Sequence, residues 1–145
     1  MKRIIKSLVV IYMVVLLSGC GNKTERLTCT MTKIDSTMTL NQELIAIFNN
    51  NEVTNMDMYM KVEVSESYIP YMDTFKTSFE EQFKSYSDNG VKVDITTEEN
   101  FINVDMNYDF KNMTTEQKKN LNALDVYGTK EATKAALEKQ GYTCK

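Results

Sequence analysis

Met56-Asp57-Met58-Tyr59-Met60-Lys61-Val62-Glu63-Val64 alternates apolar and polar residues without a break, and a period of two predicts a strand with one buried face and one wet face. A few residues later the period changes. Ile69, Met72, Phe75, Phe79, Phe83 and Tyr86 recur every three or four positions, which places them on one face of a helix. Ser67 is the expected cap, and Pro70 falls in the first turn, where the amide has no intrahelical acceptor to lose. Lys76, Glu80, Glu81 and Lys84 form the wet side, and Ser87-Asp88-Asn89-Gly90 supplies a glycine for a left-handed cap. This helix is expected to supply much of the core.

Upstream, Leu27-Thr28-Cys29-Thr30-Met31-Thr32 predicts a first strand, and Thr37 to Phe48 a second with Met38, Leu40, Leu44, Ala46 and Phe48 on one face. Asn49-Asn50-Asn51-Glu52 turns the second into the Met56 strand as a hairpin. Downstream, Val91, Val93 and Ile95 begin a strand, Thr97-Glu98-Glu99-Asn100 turns it, and Ile102, Val104, Met106, Tyr108 and Phe110 line its partner. Thr114 and Gln117 have capping-box spacing, with Leu121 and Leu124 as the apolar edge of a short helix. Thr129 caps a last helix through Lys139, with Ala132, Ala135, Ala136 and Leu137 inward, and Tyr142-Thr143-Cys144 can add a terminal strand. Hairpins separated by helices predict the α+β class: an antiparallel sheet of two hairpin groups, with one long amphipathic helix and shorter C-terminal helices packed on it.

The amino-terminal stretch has a different character. Lys2, Arg3 and Lys6 precede an apolar run from Leu8 to Leu17, the layout of an export signal and too short for a span of about 20 apolar residues. Leu17-Ser18-Gly19-Cys20 resembles the lipobox of bacterial lipoproteins. That resemblance implies cleavage after Gly19 and a lipid thioether with acyl chains such as palmitate on Cys20. The expected division is a cleaved signal over 1–19, a lipidated cysteine and polar tether over 20–26, and a single domain over 27–145. Two or more acyl chains hold a protein on a bilayer stably, so the expected location is the extracytoplasmic face of a membrane in the bacterial cell envelope.

Loss of residues 1–19 from 145 leaves 126, one domain by size. Loss of Lys2, Arg3 and Lys6 changes the net charge from −3 to −6. An acidic chain without a basic stripe lacks the footprint of a nucleic-acid binder. The chain has no histidine, the commonest general base and transition-metal ligand. Of the three cysteines, Cys20 is assigned to lipid, which leaves Cys29 and Cys144. In an exported protein such a pair points to a disulfide, with two free thiols as the alternative.

The lipobox, the short polar tether, the Leu27-Thr28-Cys29 opening, the paired-hairpin pattern and the Gly141-Tyr142 ending together resemble the small bacterial lipoproteins of the YehR family. The resemblance implies a compact lipid-anchored domain and supplies no catalytic residues.

Four constellations bear on chemistry. Met56, Met58 and Met60 share a strand face and could offer thioethers to Cu(I), but a core face is the simpler role, since methionine fills irregular gaps. Asp105-x-Asn107-x-Asp109 starts like a calcium loop, yet Phe110 stands where that loop needs glycine, and Met106 and Tyr108 continue a strand. Glu80-Glu81 and Glu98-Glu99 are adjacent in sequence without any sign of convergence. Tyr59, Tyr68, Tyr71, Tyr127 and Tyr142 could edge a binding surface. The expectation is therefore a monomeric, non-enzymatic interaction or accessory module without cofactor or metal, its partner a protein or a small ligand. A binder of a small hydrophobic ligand between helix and sheet is the alternative.

Overall fold

The computed structural model describes residues 23–121 and 128–145. Six strands form one antiparallel sheet: β1 (Thr24–Ile34), β2 (Met38–Asn49), β3 (Glu52–Val64), β4 (Lys92–Glu98), β5 (Phe101–Asp109) and β6 (Thr143–Cys144). Their order across the sheet is β4-β5-β3-β2-β1-β6. A 3-10 segment, Glu66–Tyr71, leads into α1 (Met72–Asp88), and α2 (Thr115–Asn120) and α3 (Lys130–Lys139) follow β5. The chain is α+β, as its periodicities predict.

The alternation in β3 does what a period of two requires. Met56, Val62 and Val64 are buried, with Met58 and Met60 packed against the same core, while Tyr59, Lys61 and Glu63 are exposed. Register carries this face sideways. Met56 stands between Ala46 and Tyr108, Met58 between Leu44 and Met106, and Val62 between Leu40 and Ile102. Leu27, Phe48, Ile102 and Val104 are fully buried, so the core is carried mainly by the sheet.

The β2–β3 hairpin turns on Asn50 and Asn51, both with positive φ (51° and 68°). A two-residue loop with both φ positive is the mirror-image turn whose twist suits a hairpin, and asparagine tolerates that region better than most side chains. A one-residue irregularity between Ile47 and Phe48 keeps both on their own faces despite the extra residue in β3.

Four expectations need correction. The sheet begins at Thr24, not at Leu27, because β2 extends to Asn49 and offers Thr24–Arg26 partners in Asn49, Phe48 and Ile47; the expected tether over 20–26 gives up three residues to β1. Ser67 does not cap the long helix. Pro70 restricts the residue before it and lacks an amide hydrogen, and the chain takes a 3-10 path through Glu66–Tyr71 before α1 starts at Met72 without a side-chain cap. That helix also buries less than its aromatic face suggests. It lies over the β4 and β5 end of the sheet, so Met72 and Phe83 are buried while Phe75, Phe79 and Tyr86 are half-buried. In α3 the inward residues are Thr133 and Leu137, one helical turn apart, whereas Ala132 and Ala135 are exposed.

The shorter helices start as read. Thr114 Oγ1 accepts from the Gln117 amide (3.1 Å) while Gln117 Oε1 accepts from the Thr114 amide (2.8 Å), a complete capping box. Thr129 accepts from the Ala132 amide at 3.3 Å. Gly90 closes α1 at φ 87°, where a Cβ would stand 2.9 Å from the Gln117 amide nitrogen Nε2, so that glycine serves both backbone conformation and helix approach. Leu124 and Tyr127 lie outside the described residues.

Candidate functional site

Cys29 and Cys144 face each other across β1 and β6, with sulfurs 2.02 Å apart in a disulfide. Both are buried. The Thr28 and Lys145 main chains exchange hydrogen bonds of 3.2 and 2.9 Å beside them, so the carboxyl end is fixed to the first strand covalently and by backbone pairing. This element is structural. The signal over 1–19 and Cys20 lie outside the described residues, whose first members, Lys23 and Thr24, stand at the edge of the sheet.

Met56, Met58 and Met60 take part in the core, which is the packing role. The Asp105, Asn107 and Asp109 side chains alternate along β5 on the opposite face and do not surround a point. Asn107 donates to Asp57 Oδ1 across the strands, and Asp109 accepts from Asn112 at 2.7 Å. Among the described residues no group of three or more acidic or cysteine side chains is placed to hold a metal ion. The carboxylates of Glu80, Glu81, Glu98 and Glu99 are likewise on a helix surface and at a turn.

The residues that do assemble are on the open face of the sheet. Antiparallel register aligns Asp94 with Asp105, Asp105 with Tyr59, and Tyr59 with Glu43, a row crossing β4, β5, β3 and β2. At about 4.8 Å per strand it spans about 14 Å. All four side chains are exposed, Tyr59 by 43%. The next row holds Lys92, Asn107 and Asp57, and these three with Asp94, Asp105 and Tyr59 line a shallow depression of about 360 Å³ to which Glu43 does not contribute. On the other side Lys61 stands over the Phe101 ring, Nζ 3.7 Å from its centroid, and is thereby drawn toward an aromatic partner. Across the face Glu43, Asp57, Glu63, Asp94, Glu98, Asp105 and Asp109 outnumber Arg26, Lys61 and Lys92.

A second, apolar region lies where β1 turns into β2. Ile34 is 76% exposed and Met38 41%, and with Lys33, Asp35 and Leu40 they border a depression of about 450 Å³. Asp35 organises the turn. Its Oδ1 accepts from Thr37 Oγ1 (2.7 Å), the Thr37 amide (2.7 Å) and the Met38 amide (2.8 Å), and these donors, the hydroxyl foremost, hold its carboxyl below the usual range. Tyr68 and Tyr71, the other exposed aromatics here, belong to the 3-10 segment after β3. Tyr142 is instead half-buried, donating to Gln42 Oε1 at 3.0 Å, and burial raises its phenol. Burial likewise pushes the Tyr108 phenol far up, with Tyr86 as a lesser cause.

The architecture can be set beside solved structures. The NMR structure of the E. coli YehR protein superposes with a TM-score of 0.57 at 13% identity, covering 86% of this chain and 92% of that one. The chain has a YehR-like fold. An NMR structure of a protein from Streptococcus pneumoniae TIGR4 shares that fold, with TM-score 0.57, 15% identity and 86% of each chain covered. No family model matches the sequence, and no curated protein matches it. At these identities the YehR-like fold is what the two structures share with this chain.

The acidic row was not visible in the sequence. Asp57, Tyr59, Lys61 and Glu63 could be read as the wet face of β3, and the β2–β3 hairpin brings Glu43 to Tyr59, but Asp94 and Asp105 join them only because β5 inserts between β3 and β4. Wet-face residues on every strand were the available signal, and their lateral register was not.

Proposed function

We propose that the chain is a lipid-anchored extracytoplasmic protein of the bacterial cell envelope whose single domain works as a non-enzymatic binding module. The observation carrying the binding half is the arrangement of its polar groups. The exposed carboxylates, Asp94 opposite Asp105 included, lie side by side on one flat face around a shallow depression, whereas a glycosidase pair faces across a cleft that holds the substrate between its two acids. The anchoring half rests on the lipobox-like Leu17-Ser18-Gly19-Cys20. With β1 starting at Thr24, three residues separate Cys20 from the sheet, and at about 3.5 Å each they reach about 10–14 Å. An anchor on Cys20 would hold the β2–β3 turn end of the sheet close to the bilayer, because Thr24 pairs with Asn49 beside that turn.

Metabolic labelling with an alkyne fatty acid tests the anchor: the wild-type chain takes up label and partitions with membranes, and Cys20→Ala abolishes both. Continued labelling of that variant sinks the proposal. Binding as a monomer, without nucleic acid or cofactor, is tested by crosslinking on intact cells followed by partner identification.

A second reading, the binding of a small hydrophobic ligand, is favoured by one observation. The apolar depression at Ile34, Met38 and Leu40 meets the core face through Leu40, which stands opposite the buried Val62. Native mass spectrometry of the membrane-extracted protein would retain such a ligand, and Met38→Glu would release it.

A further inference from the structure

Within the binding role proposed above, we infer that the open face of the sheet is a docking surface for an arginine- and lysine-rich protein segment, received on the row Asp94, Asp105, Tyr59 and Glu43. The inference names the partner class and rests on the binding-module reading.

Charge complementarity is the first ground. Asp94 and Asp105 are directly opposed on neighbouring strands, an arrangement that destabilises a sheet. The ion pairs among the described residues are Lys23–Glu25, Lys76–Glu80 and Lys134–Glu138, so none of them neutralises this row. Lys61, the basic residue nearest it on β3, is placed over Phe101 instead. Lys92 lies two residues from Asp94 on the same face and lines the same depression without pairing to either aspartate, so carboxylates remain in excess over cations here and an external cation is their natural complement.

Tyr59 is the second ground. It stands between the carboxylates of Asp105 and Glu43, and the residue is 43% exposed. A guanidinium stacks on such a ring face while donating paired hydrogen bonds to a carboxylate beside it. The third ground is shape. The depression at this row is shallow and the row runs about 14 Å across strands, which suits an extended or flat polypeptide surface and does not enclose a small molecule. The same charge repels nucleic acid and anionic lipid, which makes a cationic protein the occupant.

The test uses the full-length protein purified from whichever cell fraction holds it, and a fluorescent peptide of alternating arginine, glycine and serine, with a glutamate-for-arginine peptide as control. Anisotropy should show salt-sensitive binding of the arginine peptide only. Glu43→Gln/Asp94→Asn/Asp105→Asn should weaken it about tenfold. Tyr59→Ala should weaken it about threefold and leave the salt dependence unchanged. A charge-matched set on the helix side, Glu80→Gln/Glu81→Gln/Asp88→Asn, should leave affinity within about twofold. Thermal melts check that each variant is folded.

Equal loss from the two sets of neutralised acids overturns the inference, because the peptide would then be sensing net charge alone. So does binding of calcium to the face with no binding of the peptide. A protein that is lipidated on Cys20 and crosslinks to a partner, yet fails with the arginine peptide, refutes this docking class and spares the anchored module. Peptide binding by a protein that carries no lipid does the reverse.

Discussion

The two faces of one sheet have opposite economies. The inner face is built largely from residues that vanish from solvent, with Leu27, Phe48, Ile102 and Val104 fully buried; Gln42, opposite Met60, is a polar exception and accepts from Tyr142. The outer face is built at the same register positions, one residue along, mostly from polar residues, with Glu43, Tyr59, Asp94 and Asp105 exposed and Asp57, Asn103, Asn107 and Asp109 partly covered. Because side chains alternate strictly, the same backbone pairs serve both. What differs is the purpose each set of neighbours serves: inner neighbours attract one another, whereas Asp94 and Asp105 repel. Stability is thus concentrated on one side, leaving the other side free to carry residues that the fold does not need.

This contrast can be broken most severely at the disulfide. Cys29 and Cys144 are 115 residues apart, and in the chain-entropy model opening a loop of that size costs about 4–5 kcal/mol. Cys29→Ala/Cys144→Ala should therefore lower the denaturant midpoint by that equivalent, and reductant should destabilise the wild type while leaving the variant unmoved. Truncation on the inner face comes next: Leu27→Ala at a fully buried site should cost about 2–5 kcal/mol in the same experiment.

On the outer face the sign should reverse. Asp105→Asn removes the direct opposition to Asp94 and should raise stability by about 0.3 kcal/mol, seen as a small rise in Tm; a loss of 1 kcal/mol or more would show, against this scale, that the face contributes to folding after all.

The most local effect belongs to the turn that joins β1 to β2, and it is read as a pH dependence. The folded-state pKa of Asp35 is lowered by its three donors, so its stabilisation is fully present above the unfolded value of about 3.9 and is lost as pH falls through the folded value. Asp35→Ala should therefore flatten the acid limb of the stability profile below about pH 4. Parallel acid limbs for the two proteins would contradict that assignment.

Features written in local sequence were legible. The β3 alternation, the Asn50-Asn51 turn, the Thr114 and Gln117 box and the pairing of Cys29 with the carboxyl-terminal strand each depend on a few neighbouring residues or on a residue count. Features set by competition between distant segments were not. The reach of β1 back to Thr24 depends on how far β2 runs, and the shallow burial of Phe75 and Phe79 depends on α1 lying over β4 and β5. Pro70 is a local signal with two meanings: it is compatible with a helix's first turn, but here it belongs to a 3-10 approach. The candidate face was the least legible part, since its row draws one residue from each of four strands and exists only once β5 stands between β3 and β4.

The long first strand has a mechanical meaning. It pairs with β2 residue by residue from Thr24 to Ile34, and force applied to a domain held by its amino-terminal end would enter β1 along the strand axis. The bonds between β1 and β2 would then be loaded in shear, many at once, and not peeled one after another. At Cys29 part of that load passes through a covalent bond into the carboxyl-terminal segment. Under tension the residues ahead of Cys29 would strip first, and the rest of the domain would be shielded by a link that does not yield at the forces which separate strands. Survival under pull is governed by the rate of unfolding, and this geometry would slow that rate for the part of the molecule that carries the open face.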